Sequence, residues 1–525
     1  MQSYSKVITG NKWLIAIPVM LAALTAVLDA SIVNVAIPNM QSSFGAGVDE
    51  IDWVITGYLI SNVIIIPTTG WLSSVIGLKR YFAISQFVFM VASLLCGLSW
   101  NLPSLIFFRV LQGIGGGAIL PVSLTILLEA FPPSEFAMAS ALYGVGATIG
   151  PAIGPTLGGW LTDTLSWPWI FFVNVPLVTL SIILSQTLIG ENREALAQRA
   201  SRPIDIWGLL AVGTWLATLQ IVLQEGEKNG WFESSFIIGM SALSLAAFIA
   251  FLVIELRVEH PLINIRIFAN RNFTLGSVAG AMLGAALFGM LFITPLFAGN
   301  LLHYTALQIG LLLFPAALVS LVLFPVVGQL SSFIDGRFLM FFGLGLFAAA
   351  LYFQSLADLQ TSWSTLMWIQ ILRGASLPFM FTSIGALSLT ALAPRDRADG
   401  SSLFNLTRTL GGSFGIAILA TMVVNREKFH FERFGEALTQ FSSQTSERLA
   451  SFTAGFMAHG SSAALAAQQA KALLSLLLTQ QAFVGAFADV SLALAISLIA
   501  TAVILPFFQI SKLRGSQAPA PAAAE

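Results

Sequence analysis

Along the 525 residues, runs of about twenty apolar positions alternate with short polar stretches. A helix that crosses the hydrocarbon core of a bilayer needs about that length. The runs predict fourteen spanning helices, near residues 13–38, 52–74, 80–99, 102–128, 136–161, 168–189, 205–224, 234–255, 273–298, 306–330, 338–357, 364–391, 400–424 and 482–508. The one long polar interruption, 425–481, predicts an outer loop. Within it, SSAALAAQQAKALLSLLLTQQ at 461–481 reads as a helix with an apolar face. The Ala/Pro-rich end, within 509–525, reads as a disordered tail. The first run follows Lys6 and Lys12 and continues past Asp29 to Ile37. That exceeds the roughly 7–15 residues of a signal-peptide core, so a spanning helix is expected there.

Composition makes the membrane assignment secure. The chain is 56% hydrophobic and 9% charged, against roughly 25% charged in soluble proteins. The fold class is therefore an all-α polytopic membrane protein. The net charge of −1 argues against a nucleic-acid partner. Cys96 is the sole cysteine, so no intrachain disulfide can form. His260, His303, His430 and His459 lack metal-ligand spacing, and no cofactor motif is present. No G-x-x-x-x-G-K-[ST] loop occurs, and GIGGG at 113–117 lacks the lysine. Energy must then come from an ion gradient, worth about 2.3 kcal/mol per charge per 100 mV. No nucleophile–base constellation suggests an enzyme.

Basic residues set the expected orientation. With the N-terminus inside, the inner segments hold Lys79, Arg80, Arg193, Arg199, Arg202, Arg257, Arg266, Arg271, Arg337, Arg395, Arg397, Lys512 and Arg514, besides Lys6 and Lys12. The short outer loops hold only Lys228. The long outer loop adds Arg426, Lys428, Arg433, Arg448 and Lys471. This asymmetry places both termini in the cytoplasm.

The sequence also repeats itself. GWLSSVI at 70–76 matches GQLSSFI at 328–334 in five of seven positions. LQG at 111–113 meets LRG at 372–374, and Gly150 and Gly154 meet Gly411 and Gly415. The offsets are 258, 261 and 261. The pattern predicts two six-helix halves, 13–189 and 272–508, separated by two inserted helices within 190–271. Paired halves of this kind place substrate sites at their interface, near the midplane.

One stretch stands out. GVGATIGPAIGPTLGGWL at 144–161 puts Gly146, Gly150, Gly154 and Gly158 on one helix face. Such a face lets a neighbouring helix approach closely. Pro151 and Pro155 remove backbone donors and favour a bend. A tightly packed contact that slides or seals is expected, with a static packing face as the alternative.

These residues resemble a known family. Gly146 to Pro155 is similar to the antiporter motif of major facilitator exporters. LDASIVNVAIPNM at 28–40, RVLQGIGGGAILP at 109–121 and WPWIFFVNVP at 167–176 resemble motifs of its fourteen-helix drug:proton antiporters. The resemblance runs over nearly the whole chain and is greatest to EmrB-type members. It implies a proton-driven exporter of hydrophobic or amphiphilic compounds in the bacterial inner membrane, working by alternating access. It also implies a periplasmic membrane-fusion adaptor and an outer-membrane channel as partners. The loop motif GWLSSVIGLKRYF departs from the family pattern. Gly70, Gly77, Lys79 and Arg80 remain, but Ser74 stands where an acidic residue is usual.

Candidate chemistry follows from lone polar residues in apolar helices. Asp29 costs on the order of 3 kcal/mol there on insertion scales. Intramembrane acids are functional hypotheses by default. Asp29 is expected to couple protons, recognise substrate, or both, with a packing carboxylate as the alternative. Arg109 stays charged and needs a partner; the resemblance makes it the proton-relay arginine. Gln112 lies one turn away. Asn34, Phe288, Phe292, Arg373, Phe379 and Arg408 complete the candidate cavity. Glu129 reads as a gate or cap residue, and Asp489 as a weaker second acid. Sodium in place of protons stays open. So do a same-fold exporter of one endogenous metabolite or lipid, and a membrane sensor or scaffold that does not transport.

Overall fold

In the computed structural model, residues 8–191, 205–258, 261–438 and 442–509 are described. Arg193, Arg199, Arg202, His260, Lys6, Lys512, Arg514 and the tail from 510 onward lie outside the described residues. The fold is a helical bundle. Its long helices are α1 (Lys12–Phe44), α2 (Asp49–Ile76), α3 (Leu78–Gly97), α4 (Leu102–Ala130), α5 (Phe136–Thr164), α6 (Trp169–Leu188) and α7 (Ile206–Glu225). They continue with α8 (Ser235–Arg257), α9 (Arg271–Asn300), α10 (Ala306–Leu330), α11 (Gly336–Ser355), α12 (Trp363–Leu389), α13 (Arg397–Ala437) and α14 (Ala463–Ala502). Among the described residues, thirteen helices are long and apolar enough to cross a membrane. α12 has 27 residues, long enough to cross, but carries Gln370 and Arg373. Ile8–Thr9 and Gly190–Glu191 form one two-residue antiparallel pair, tying the chain before α1 to the chain after α6.

Helix ends follow local chemistry. Asn101 caps α4 by accepting from Ser104 N at 2.8 Å, and Ser104 closes a capping box with it. Thr305 and Gln308 do the same for α10. Gly77 sits between α2 and α3 at φ 97°, a conformation that favours glycine.

The same helix pairs pack in two groups. α1 packs on α5, α2 on α4 and α3 on α4; likewise α9 packs on α13, α10 on α12 and α11 on α12. The glycine stripe explains one of these pairs. A Cβ at Gly150 would lie 2.7 Å from Leu28 N, and one at Gly154 would lie 2.0 Å from Ser31 Oγ. Gly146 meets Ala23, and Gly158 meets Ile32. The stripe therefore lies against α1, inside its own group, rather than at the contact with the other group. Gly411 and Gly415 bring α13 equally close to Ala281 and Ala285 of α9. α5 meets the other group through a different face: Gly144 against Phe324, Met138 against Gly328, and Thr156 against Gly310.

The two groups close on each other at the end that carries Ile8 and Gln509. There Ser402 Oγ donates to the Ile66 carbonyl at 2.5 Å, and Ser401 Oγ to the Pro121 carbonyl at 2.8 Å. The Tyr143 hydroxyl donates to Asn405 Oδ1 at 2.5 Å. Arg397 lies over the Phe136 ring at 4.8 Å. Gly70 admits Asp399 of α13, whose Oδ1 would stand 2.1 Å from a Cβ at that position. The carboxylate missing at Ser74 thus has a counterpart supplied across the seam. α7 packs on α2 and α13 and so covers one side of that seam, and α8 packs on α7.

The expected 425–481 loop is largely helix. α13 runs on to Ala437, Ser443–Ala458 is a separate helix, and α14 begins at Ala463. Apolarity marks where a helix lies in lipid, whereas these polar turns continue the same backbone hydrogen bonding in water.

Candidate functional site

Four helices converge on Asp29. Glycines of α4 make the approach close: a Cβ at Gly113 would stand 2.5 Å from the Tyr58 carbonyl, and one at Gly115 would stand 2.5 Å from Phe89 N. α2 and α3 therefore press on both sides of α4. One turn before Gly113, Arg109 reaches from α4 toward α1.

The resulting network is fully buried. Arg109 Nη1 donates to Asp29 Oδ2 at 2.7 Å and to Gln112 Oε1 at 2.7 Å. Arg109 Nε donates to the Val54 carbonyl at 3.1 Å. Gln112 Nε2 and Asn174 Nδ2 donate to Asp29 Oδ1 at 2.8 and 2.7 Å. Asn174 also donates to Ser93 Oγ at 3.0 Å, and Ser93 donates to the Phe171 carbonyl at 2.9 Å. The Tyr58 ring lies 4.1 Å from the Arg109 guanidinium. Asp29, Arg109 and Gln112 are each no more than 1% exposed. A buried ion pair holds only when its remaining donors and acceptors are satisfied, and here most of them are.

The other candidates fall elsewhere. A small cavity of about 30 Å³ lies between α5 and the second group. Thr148 and Pro151 line it from one side; Leu287, Met290, Ser320, Phe347, Arg373 and Leu377 are among those lining it from the other. Of the sequence candidates for the cavity, Arg373 is in this lining. Asp29 and Gln112 sit inside the first group instead. Asn34 is exposed on α1 and apart from the Asp29 network. Phe288 packs over Gly412 of α13, and Phe292 is half-buried on α9. Phe379 turns to α11, where its ring meets Phe342 edge-on at 4.9 Å. Arg408 Nη2 donates to Asn405 Oδ1 at 3.0 Å, with the guanidinium 5.5 Å from both the Tyr143 and Phe381 rings. Of the gate candidates, Lys79 Nζ donates to the Gln186 carbonyl at 2.8 Å, Arg80 is exposed, and Glu129 is buried near the end of α4. Pro155 is half-buried on α5. Asp489 accepts from Arg426 Nε at 2.5 Å and lies 2.8 Å from His430 Nε2, at the far end of the bundle from Ile8.

Sequence reasoning did not single out Asn174 or Tyr58. Asn174 was within reach: it is the lone amide in WPWIFFVNVP. The fold is what turns it onto Asp29.

Residues 19–416 match the model of the Major Facilitator Superfamily. The chain is 35% identical over 431 residues to the multidrug export protein EmrB of Escherichia coli K12, covering 82% of this chain and 83% of that protein. It is 33% identical over 434 residues to EmrB of Haemophilus influenzae, covering 82% and 84%. It is 30% identical over 492 residues to the fatty acid resistance protein FarB of Neisseria gonorrhoeae, covering 94% of each. The human organic anion transporter MFSD10 shares the fold at TM-score 0.58 and 14% identity, over 79% of this chain and 94% of that one. Helix pairing, glycine contacts and sequence agree: the chain is a multi-pass membrane transporter that belongs to the major facilitator superfamily, and within it to the group of the EmrB proteins.

Proposed function

We propose that this protein is a proton-driven multidrug antiporter of the bacterial inner membrane, with both termini cytoplasmic. The observation that carries the proposal is the buried Asp29–Arg109 pair with its Gln112 and Asn174 donors. The multidrug export named for the EmrB relatives supports the substrate side.

The network suits proton exchange. Protonating Asp29 cancels the charge that Arg109 faces. The guanidinium then keeps Gln112 Oε1, the Val54 carbonyl and the Tyr58 ring as partners. The two protonation states thus differ in how firmly α1 is held to α4. α1 in turn is pressed onto the glycine face of α5, and α5 contacts α10 across the seam. A proton at Asp29 would reach the interface between the groups along that chain of contacts. The closure at the terminal end, through Ser401, Ser402 and Asn405, corresponds to the outward-facing member of an alternating-access pair. The helical extension of α13 and α14 is the surface we assign to a periplasmic adaptor that passes compounds to an outer-membrane channel.

The test is drug-induced proton movement in proteoliposomes under an imposed pH gradient. The native protein should release protons when a hydrophobic compound is added, and Asp29→Asn should not. Equal coupling in the variant would make Asp29 structural.

A further inference from the structure

We infer that Arg408 is the positioning residue that reopens the closed terminal end: its guanidinium is stripped of water when the two groups meet there and hydrated when they part. This rests on the alternating-access reading above and names the group that acts against closure.

Arg408 lies on α13 at the seam with α5 and is 3% exposed. Its Nη2 donates to Asn405 Oδ1 at 3.0 Å, and its Nε is buried without a partner. The Tyr143 ring of α5 and the Phe381 ring of α12 each lie 5.5 Å away. Among the described residues, then, its side-chain partners are all neutral. A guanidinium offers five donors and keeps its charge. Ring contacts act on it only within about 6 Å, so these two are near the limit. Taking the ion out of water costs more than such partners return. Arg109 differs: it holds a carboxylate, and its partners lie in the first group, so the parting of the groups strips none of them away.

The contacts that hold this end shut are of the opposite kind. The Tyr143 hydroxyl crosses the seam to Asn405 Oδ1, and Ser401 and Ser402 reach the Pro121 and Ile66 carbonyls. Asn405 Oδ1 therefore accepts from both sides, from Tyr143 of α5 and from Arg408 on its own helix. When the groups part, Tyr143 leaves with α5, and water replaces it at the oxygen and at the guanidinium. The hydroxyl favours closure and the buried cation opposes it, which keeps the closed end shallow enough to reopen.

The experiment reads how often this end opens. Ala141 is fully buried at the seam against Gly328. Ala141→Cys in a Cys96→Ser background should therefore react with N-ethylmaleimide only when the end parts. Arg408→Met should slow that reaction roughly fivefold or more, because the closed end no longer buries a cation. Arg408→Lys keeps the charge and should stay within about threefold of the unsubstituted rate. Tyr143→Phe loses the cross-seam bond and should speed the reaction roughly twofold to tenfold. A merely structural Arg408 would loosen the seam when replaced, sending both variants the same way. Unchanged or faster reaction in Arg408→Met overturns the inference. If Arg408→Met does not fold, phenylglyoxal decides. It should modify Arg408 more slowly once Ala141→Cys and Gly328→Cys are joined by oxidation, and equal modification before and after would overturn the inference. If Ala141→Cys never reacts in protein that exports, this end does not open, and the alternating-access reading itself fails.

Discussion

At Asp29 three side chains donate to one carboxylate, and their loss should cost unequal amounts. Asn174→Ala removes one of two donors to Oδ1, a loss of about 1–3 kcal/mol. Arg109→Gln leaves a buried carboxylate without its cation, a loss of about 3–5 kcal/mol. Adding Asp29→Asn to Arg109→Gln should recover stability, because the stranded charge is gone. Thermal unfolding in detergent checks the order: the double variant should melt above Arg109→Gln alone. Asp29 and Arg109 could be read from the sequence because a lone charge in an apolar helix demands a partner. Asn174 could not be ranked in the same way, since an amide is cheap enough to face many surroundings. The cavity phenylalanines were not legible at all. Forty-one phenylalanines look alike in sequence, and only packing sends Phe379 to Phe342 and Phe288 over Gly412.

At the scale of the helix, Gly150 and Gly239 make a matched comparison. Alanine gains about 1 kcal/mol over glycine in helix propensity. At Gly239 nothing lies within 4 Å of an added Cβ, so Gly239→Ala should be neutral or mildly stabilising. At Gly150 the Cβ would meet the α1 backbone, with Leu28 N at 2.7 Å, and backbone cannot turn aside. Gly150→Ala should therefore destabilise by about 1–3 kcal/mol despite its better propensity. Parallel melting curves of the two variants give the answer. Helix positions were legible because each apolar run had to be buried or placed in lipid. The early part of α14 was legible in the apolar face of 461–481, but the continuation of α13 was not, because REKFHFERF carries no apolar run. Side-chain pairing of Arg426 and His430 with Asp489 holds those turns together instead. The loop between α7 and α8 shows the same limit. Lys228 pairs with Asp52 of α2, and Trp231 Nε1 donates to Thr421 of α13 at 3.0 Å, so one short loop touches both groups. The pair is partly exposed, and Lys228→Ala should change the melting free energy by under about 1 kcal/mol.

For the molecule as a whole, the closed terminal end is the feature most open to direct test. Ala141 of α5 and Gly328 of α10 face each other across the seam, with 3.2 Å between the Ala141 Cβ and a Cβ built at Gly328. That is a few tenths of an ångström from disulfide spacing, about 3.5–4.5 Å. Cys96 is the only native thiol and is buried, so a Cys96→Ser background is clean. Ala141→Cys with Gly328→Cys should cross-link on oxidation and stop export, and reduction should restore it. Export that continues in the cross-linked protein would show that this end need not open. GWLSSVI and GQLSSFI point to a repeat, but the surfaces on which the two groups meet were not legible there, because a repeat specifies likeness and not contact. The continuations of α13 and α14 have one more consequence. α14 alone spans 40 residues, about 60 Å at 1.5 Å per residue, twice the thickness of the hydrocarbon core. The excess stands clear of any detergent belt on one side only. In electron microscopy that projection would act as a built-in fiducial, fixing which way up each particle lies without an antibody fragment.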